Sequence, residues 1–142
     1  MKGLHGLLIL LGRFFLAAIF ILSGIHKIAS FDATVEYMAA TVPKMTMIPF
    51  FLTCAILIEL LGGLFILVGY KARLGALLLF LYLIPVTLLF HNFWDAEGMA
   101  KAMQQINFLK NLAIEGGLLY VIAYGAGGCS FDARCCKVDK KS

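Results

Sequence analysis

The chain has 142 residues, of which 62% are hydrophobic and 14% are charged, and its formal net charge is +4. This length fits one domain. A soluble domain this small could not bury so much apolar surface, so lipid is expected to surround most of it. The basic residues stand at segment ends rather than in a run, which gives nucleic-acid binding little support.

Four apolar windows are long enough to cross a bilayer as helices, which takes about 20 residues each. They cover residues 7–29, 47–69, 72–91 and 106–125. The first window also fits a cleaved signal peptide, but it is long, contains Arg13 and lacks a clear cleavage site, so a retained helix is predicted. The predicted fold is all-α: a polytopic, antiparallel bundle of four transmembrane helices over residues 1–128, followed by a tail at 129–142.

The connections between the windows predict the orientation of the bundle. Only Tyr70 and Lys71 separate the second and third windows, which requires a tight hairpin, whereas residues 92–105 are mildly amphipathic and are expected to lie along the interface as a short helix. Most basic residues at or beyond the ends of the windows lie on the side that holds the hairpin and both termini: Lys2, Lys71, Arg73, Arg134, Lys137, Lys140 and Lys141. Basic residues in short loops favour the cytoplasm, so both termini are predicted to be cytoplasmic.

Charged side chains inside the windows are candidates for function, because each costs roughly 3 kcal/mol at membrane depth and needs a partner or a purpose. At 1.5 Å per residue from the cytoplasmic ends, Glu59 lies at about 16 Å, Glu115 at about 17 Å and Arg13 at about 9 Å, with a long side chain that can extend inward. We predict that these three residues meet near the midplane. The cluster would be either an acid–base site or a charge-neutralised clamp that fixes helix register.

A second polar group is predicted at the outer mouth of the bundle. Its members close the first and third windows, or lie just before the fourth or in its first half: Lys27, His91, Gln104, Asn107, Lys110 and Asn111. A neutral or cationic cluster of this kind could hold an anionic or quinone-like head group. The alternative for Lys27 and Lys110 is that their amines only extend to the membrane interface.

The cysteines divide between the second window and the tail. Cys54 is interpreted as an apolar filler. Cys129, Cys135 and Cys136 lie in the tail, where a cytoplasmic location keeps them reduced and makes a structural disulfide unexpected. Nearby basic residues favour the thiolate, so redox exchange and soft-metal binding stay open. A vicinal pair matches ordinary zinc sites poorly, and no metal site is predicted.

Several segments together resemble the DoxX family of small membrane proteins. They are R-F-F-L-A-A-I-F-I-L-S-G-I-H-K-I at 13–28, E-L-L-G-G-L-F-I-L-V-G at 59–69, the histidine after the third window, Q-x-x-N-F-L-K-N-L-A-I-E-G-G-L-L at 104–119 and G-A-G-G-C-S-F-D at 125–132. The resemblance implies a four-helix bundle in a bacterial inner membrane. It carries over to Arg13, Lys27, Glu59, His91, Lys110 and Asn111, whereas the cysteine-rich ending departs from the family pattern.

The family takes its name from relatives of a subunit of a thiosulfate:quinone oxidoreductase. The resemblance therefore implies a membrane subunit of a quinone- or thiol-linked redox complex, with quinone as the candidate cofactor. The sequence carries no haem, flavin or nucleotide motif, so a partner subunit would supply the redox centre. A non-enzymatic scaffold or assembly factor, a small ligand-, lipid-binding or transport component, and self-association are the open alternatives.

Overall fold

A computed structural model describes residues 2–128 and 130–133, and the regular structure within them is helical. The helices are α1 Lys2–Ala29, α2 Phe31–Thr41, α3 Ile48–Val68, α4 Ala72–Phe90 and α5 Gly98–Tyr124, with a short 3-10 turn at Phe93–Asp95. Four of them, all except α2, are long and apolar enough to cross a membrane. The predicted all-α, four-span architecture is confirmed.

The four long helices pack in the order α1, α3, α4, α5. Neighbours in this order contact each other along much of their length, whereas α1 and α5 touch only briefly. One end of the bundle, here called the tail end, holds the start of α1, the α3–α4 turn and the last turn of α5. The opposite end, called the α2 end, is covered by α2. The arrangement is thus a curved row of helices with a gap between its first and last members.

The short helix α2 was not predicted; it lies in the connection between the first and second windows. Its side chains pack between the start of α3 and the end of α4, where Met38 is buried with Leu52, Ile56 and Phe90. Tyr37 adds a stacked ring contact to Phe90, with 6.2 Å between the centroids. This satellite cluster closes the α2 end of the bundle.

The connection at residues 92–105 also differs from its prediction as a short interfacial helix. A 3-10 turn at Phe93–Asp95 comes first, and α5 then starts at Gly98 and continues without a break into the fourth span. Phe93 and Trp94 pack against Phe108 of α5, with centroid distances of 5.4 and 6.2 Å. Lys101, Gln104 and Gln105 therefore belong to the first turns of α5.

The tight α3–α4 hairpin is confirmed, and residues after α5 complete it. Gly69 ends α3 at φ 71°, and Lys71 precedes α4 at φ 46°, so both take the left-handed conformation that the sharp reversal requires. The carboxylate of Asp132 accepts hydrogen bonds from the backbone N–H groups of Lys71 and Ala72, at 2.8 and 3.2 Å. These amides begin α4 and have no partner within the helix, so Asp132 acts as their cap.

The centre of the bundle is closely packed and apolar. Ala17, Ile66, Leu79 and Leu118, one from each long helix, are fully buried in a single cluster. Many large apolar side chains instead face outward; Phe15 and Leu22 of α1, for example, are about two-thirds exposed. Such exposure suits helices whose outer surface is solvated by lipid tails.

Helices α3 and α4 approach closely at two glycines. A Cβ atom at Gly75 would lie 2.9 Å from the carbonyl oxygen of Gly62 and 2.7 Å from the Cβ of Phe65. Close approach at small residues is a common basis of helix packing in membranes, where van der Waals contact replaces hydrophobic exclusion.

We predict that Gly75→Ala destabilises the protein by about 2 kcal/mol, because the added methyl group meets backbone that must move. Gly116→Ala is the matched control, since a Cβ there meets nothing within 4 Å. Unfolding in mild detergent, followed by circular dichroism against temperature or denaturant, measures the difference. Equal stability of the two variants would contradict the close α3–α4 packing.

Candidate functional site

The most highly connected polar group in the described residues is Glu59, in the middle of α3. Its two carboxylate oxygens accept hydrogen bonds from Nζ of Lys27 at 2.8 and 2.9 Å. Oε1 accepts another from the hydroxyl of Tyr82 at 2.8 Å. Nζ of Lys27 also donates to the hydroxyl oxygen of Ser23 at 2.6 Å. These four residues, here called the Glu59 network, join α1, α3 and α4.

Small residues allow α1 and α3 to come close enough for this contact. A Cβ atom at Gly24, one turn before Lys27, would lie 3.6 Å from the Cβ of Glu59. A Cβ at Gly63, one turn after Glu59, would lie 3.3 Å from the carbonyl oxygen of Ala17. Larger side chains at these two positions would push α1 and α3 apart.

The two members of the ion pair differ in how deeply they are buried. Glu59 is 4% exposed, and the Lys27 side chain is 23% exposed. A buried carboxylate in lipid needs a counter-charge and further donors to offset its lost hydration, and here it has both. Lys27 of α1 therefore neutralises the charge, and Tyr82 of α4 completes the coordination of the carboxylate.

The Glu59 network can hold protons at three side chains linked by hydrogen bonds. Lys27 and Tyr82 both donate to the same carboxylate, at distances below 3 Å. A proton can therefore pass from either group to Glu59, and the group that lost it can then accept a proton in turn. Such chains of groups polarise one another in a medium of low dielectric constant. The arrangement suits proton exchange with a ligand at Lys27, and it equally fixes the relative register of three helices.

Arg13 is buried, but it belongs to the tail end of the bundle. Its Nη1 donates to the carbonyl oxygen of Ala126 at 2.7 Å, and a Cβ added at Gly69 would collide with the guanidinium. Glu59 stands ten residues before Gly69 on α3, about 15 Å along the helix axis. Across residues 2–128 and 130–133, no ion pair links Arg13 to either carboxylate of the predicted midplane cluster.

Glu115 also lies apart from Glu59. It is partly exposed on α5, and it makes no hydrogen bond or ion pair with any other residue that the structure describes. The three residues expected to meet at the midplane thus lie apart, with Glu59 in the middle of α3, Arg13 at the tail end and Glu115 on a partly exposed face of α5. The counter-charge of Glu59 comes from Lys27, which the sequence analysis placed at the outer mouth.

The other predicted outer residues form separate pairs. His91 Nδ1 lies 3.0 Å from Oε1 of Gln104, and Asn111 donates to the hydroxyl oxygen of Thr87 at 2.9 Å. Both contacts join the second half of α4 to α5. Asn107 is partly exposed, and Lys110 is exposed on α5. The structure therefore pairs His91 with Gln104, whereas Lys27 and Asn111 bond to residues outside the predicted group.

Of the tail cysteines, Cys129, Cys135 and Cys136 lie outside the described residues, so the structure does not bear on the thiol and metal alternatives. Cys54 is a free cysteine on α3, partly buried. Over the described ranges, no three histidine, cysteine or acidic side chains lie close enough together to hold a metal ion.

Two members of the Glu59 network, Ser23 and Tyr82, were missed by the sequence analysis. Ser23 stands four residues before Lys27, so the two side chains share one face of α1. Tyr82 lies in the middle of the third window, away from the interfaces where tyrosine is enriched in membrane helices. A tyrosine at membrane depth needs a partner for its hydroxyl, and that need is the signal that could have found it.

A family model for DoxX matches residues 8–92, which is more than half of the chain. The matched region contains α3, α4 and most of α1, and with them every member of the Glu59 network. The chain belongs to the DoxX family. The SURF4 family model also matches, over residues 53–138, so α5 and the tail lie in the second match.

Two relatives extend over nearly the whole chain. Inner membrane protein YphA of Escherichia coli K12 is 34% identical over 127 residues, covering 89% of this chain and 89% of its own length. Inner membrane protein YqjF of the same strain is 34% identical over 132 residues, covering 93% and 95%. A Surfeit locus protein 4 homolog of Drosophila melanogaster is 34% identical over 70 residues, which is 47% of this chain and 26% of that protein. No solved structure matches the chain significantly.

We predict that Lys27→Met destabilises the protein by about 3 kcal/mol, because it leaves a buried carboxylate without its counter-charge. Lys110→Met, which removes an exposed lysine from α5, should change the free energy of unfolding by less than about 0.5 kcal/mol. The double variant Lys27→Met/Glu59→Met should recover most of the loss, since it removes both charges. Denaturant unfolding of the four proteins tests this, and additive losses in the double variant would contradict the pairing.

Proposed function

We propose that this protein is the membrane subunit of a quinone-linked redox complex in a bacterial inner membrane, where its Glu59 network supplies protons. The single observation that carries the proposal is the buried Lys27–Glu59–Tyr82 chain of hydrogen bonds. Family membership and the two inner-membrane relatives from Escherichia coli support the setting.

The residues of the network fit the needs of a quinone head group. A bound quinone supplies two-electron chemistry in which each of its two oxygens gains one proton. Lys27 is partly exposed and carries the charged amine of the network, so it is the group that would donate to a ligand oxygen. Glu59 is buried beside it, and Tyr82 bonds to the same carboxylate, so the two residues would orient the amine and exchange the proton that it gives or receives.

Electrons must come from another protein under this proposal. The sequence has no motif for haem, flavin or nucleotide, so the chain acts by binding and proton delivery beside a partner that holds the redox centre. A thiol-linked form of the same role would depend on Cys129, Cys135 and Cys136. The described geometry supports the quinone-linked form, because the network lies inside the membrane, where quinones partition.

A scaffold is the second candidate, and one observation favours it. The amine of Lys27 has acceptors at 2.6, 2.8 and 2.9 Å, all within this chain. An ammonium group has three donors. A network whose donors are already satisfied is well suited to fixing three helices for the assembly of a complex, without any reaction at the site.

Glu59→Gln and Tyr82→Phe separate these two functions. In complexes isolated in mild detergent, the redox proposal expects Glu59→Gln to lower quinone reduction about 100-fold, the scale of one general acid–base group. Tyr82→Phe should lower the rate less, because the Lys27 pair stays intact. Glu36→Gln, on the exposed side of α2, is the matched carboxylate control.

The readouts are the reduction rate per assembled complex and the quinone extracted per chain. Normal rates in both network variants would overturn the redox role. Loss of thermal stability or of partner subunits, with an unchanged rate in whatever complex remains, would instead establish the scaffold.

For the orientation, we propose that the tail end faces the cytoplasm, as the excess of basic residues there predicts. Alkaline phosphatase needs an oxidising compartment for its disulfides, so fusions to it report on which side a residue lies. A fusion after Lys44, in the loop between α2 and α3, should be active, and a fusion after Ser142 should be inactive. The reverse pattern would invert the topology.

A further inference from the structure

An open groove runs between α1 and α5, the two long helices that touch only briefly. Its volume is about 700 Å³, within the range of pockets that hold small molecules. Ile9 and Leu16 line it from α1, and Ile114 and Val121 line it from α5. The groove therefore has apolar walls at the depth where lipid tails lie.

The groove is wide because glycines lie in both of its walls. Gly12 lies on the α1 wall, and a Cβ there would meet nothing within 4 Å. Gly117 lies on the α5 wall, where a Cβ would only reach ordinary contact with Leu16, at 3.4 Å. Tyr120 and Tyr124 border the groove and are 71% and 78% exposed, so it opens on the lipid-facing side of the bundle.

The tail end of the groove carries basic side chains. Arg13 and His5 are among its lining residues. The exposed Arg73 lies against Gly125 at the same end and donates to the carbonyl oxygen of Ala123 at 3.2 Å. Asp132 is the acidic residue that the structure describes at this end, and its carboxylate already accepts hydrogen bonds from the first amides of α4. A net positive field thus stands where the groove reaches the membrane surface.

We propose that the groove holds an acyl chain of one anionic phospholipid, with its phosphate beside Arg73 and His5. Apolar walls alone select no lipid, because every lipid tail is as apolar as the groove. The selection comes from the charge, since a basic pocket between transmembrane helices attracts anionic head groups. Arg13 stays on its carbonyl partner and adds to the positive field. This inference does not depend on the quinone proposal.

Spin-labelled phosphatidylglycerol and phosphatidylcholine test the site directly. The full-length protein is reconstituted in vesicles of phosphatidylcholine that contain a trace of either label. Electron paramagnetic resonance then measures the immobilised fraction of each lipid. Phosphatidylglycerol should be preferred over phosphatidylcholine, and the preference should fall as salt is added.

Gly12→Leu should remove the preferential immobilisation of phosphatidylglycerol by filling the groove. Gly116→Leu is the matched control, because it also meets open space but is not a lining residue. Arg73→Gln should weaken the preference about fivefold, the effect of one basic residue near the surface. Ala113→Leu, a second variant on the α5 wall, replaces Gly12→Leu if that protein does not fold.

Equal immobilisation of the two lipids by the wild-type protein would overturn the proposal. So would an unchanged preference in both groove-filling variants. If filling the groove instead breaks a dimer seen in crosslinking while leaving lipid selectivity intact, the occupant is a second copy of the chain. Displacement of the spin label by a neutral quinone, to the same extent in the wild-type protein and in Arg73→Gln, would assign the groove to a quinone tail and exclude the phospholipid.

Discussion

A carboxylate in the middle of a bilayer keeps its charge only where the protein itself supplies the donors, because water is absent there. Glu59 is such a group, and its donors come from two other helices. Lys27 fixes the rotation of α1, and Tyr82 fixes that of α4, both relative to α3. The close approach at Gly24 is possible only in this register. Three of the four spanning helices are thus oriented by one side chain.

The fourth spanning helix, α5, stands outside this arrangement. It is attached mainly along α4, by apolar contacts around Leu118 and by the Asn111–Thr87 and His91–Gln104 pairs. Nothing in the Glu59 network draws it toward α1, and the space between these two helices remains as the groove. The close packing of α1, α3 and α4 and the open groove beside α5 therefore have the same cause: the first three helices share the buried charge of Glu59, and α5 does not.

The sequence was sufficient for the spans because the length and hydropathy of a segment depend on the segment alone. It was also sufficient for the hairpin, where two residues leave no room for another connection. It failed for α2, since residues 31–41 have mixed polarity and become helical by packing on α3 and α4 rather than by a strong pattern of their own.

The partners of the charges could not be predicted from depth. Lys27 lies near the end of its window, which suggested an interfacial amine, but four methylene groups allow it to extend inward to Glu59 as easily as outward. Arg13 was expected to extend inward, yet the carbonyl of Ala126, just after α5, offers a buried acceptor at the tail end. Depth gives the position of a Cα atom, whereas pairing depends on which helix lies opposite and on where backbone carbonyls lack partners.

The cap on α4 also bears on how the chain is made. The amides of Lys71 and Ala72 bond to a carboxylate that is synthesised 61 and 60 residues later. Because a chain grows from its N-terminus, the α3–α4 hairpin enters the membrane before Asp132 exists. During synthesis its turn must be solvated by water and lipid head groups. The closing step of assembly is the return of residues 130–133 to the hairpin, which cannot occur before Asp132 has been synthesised.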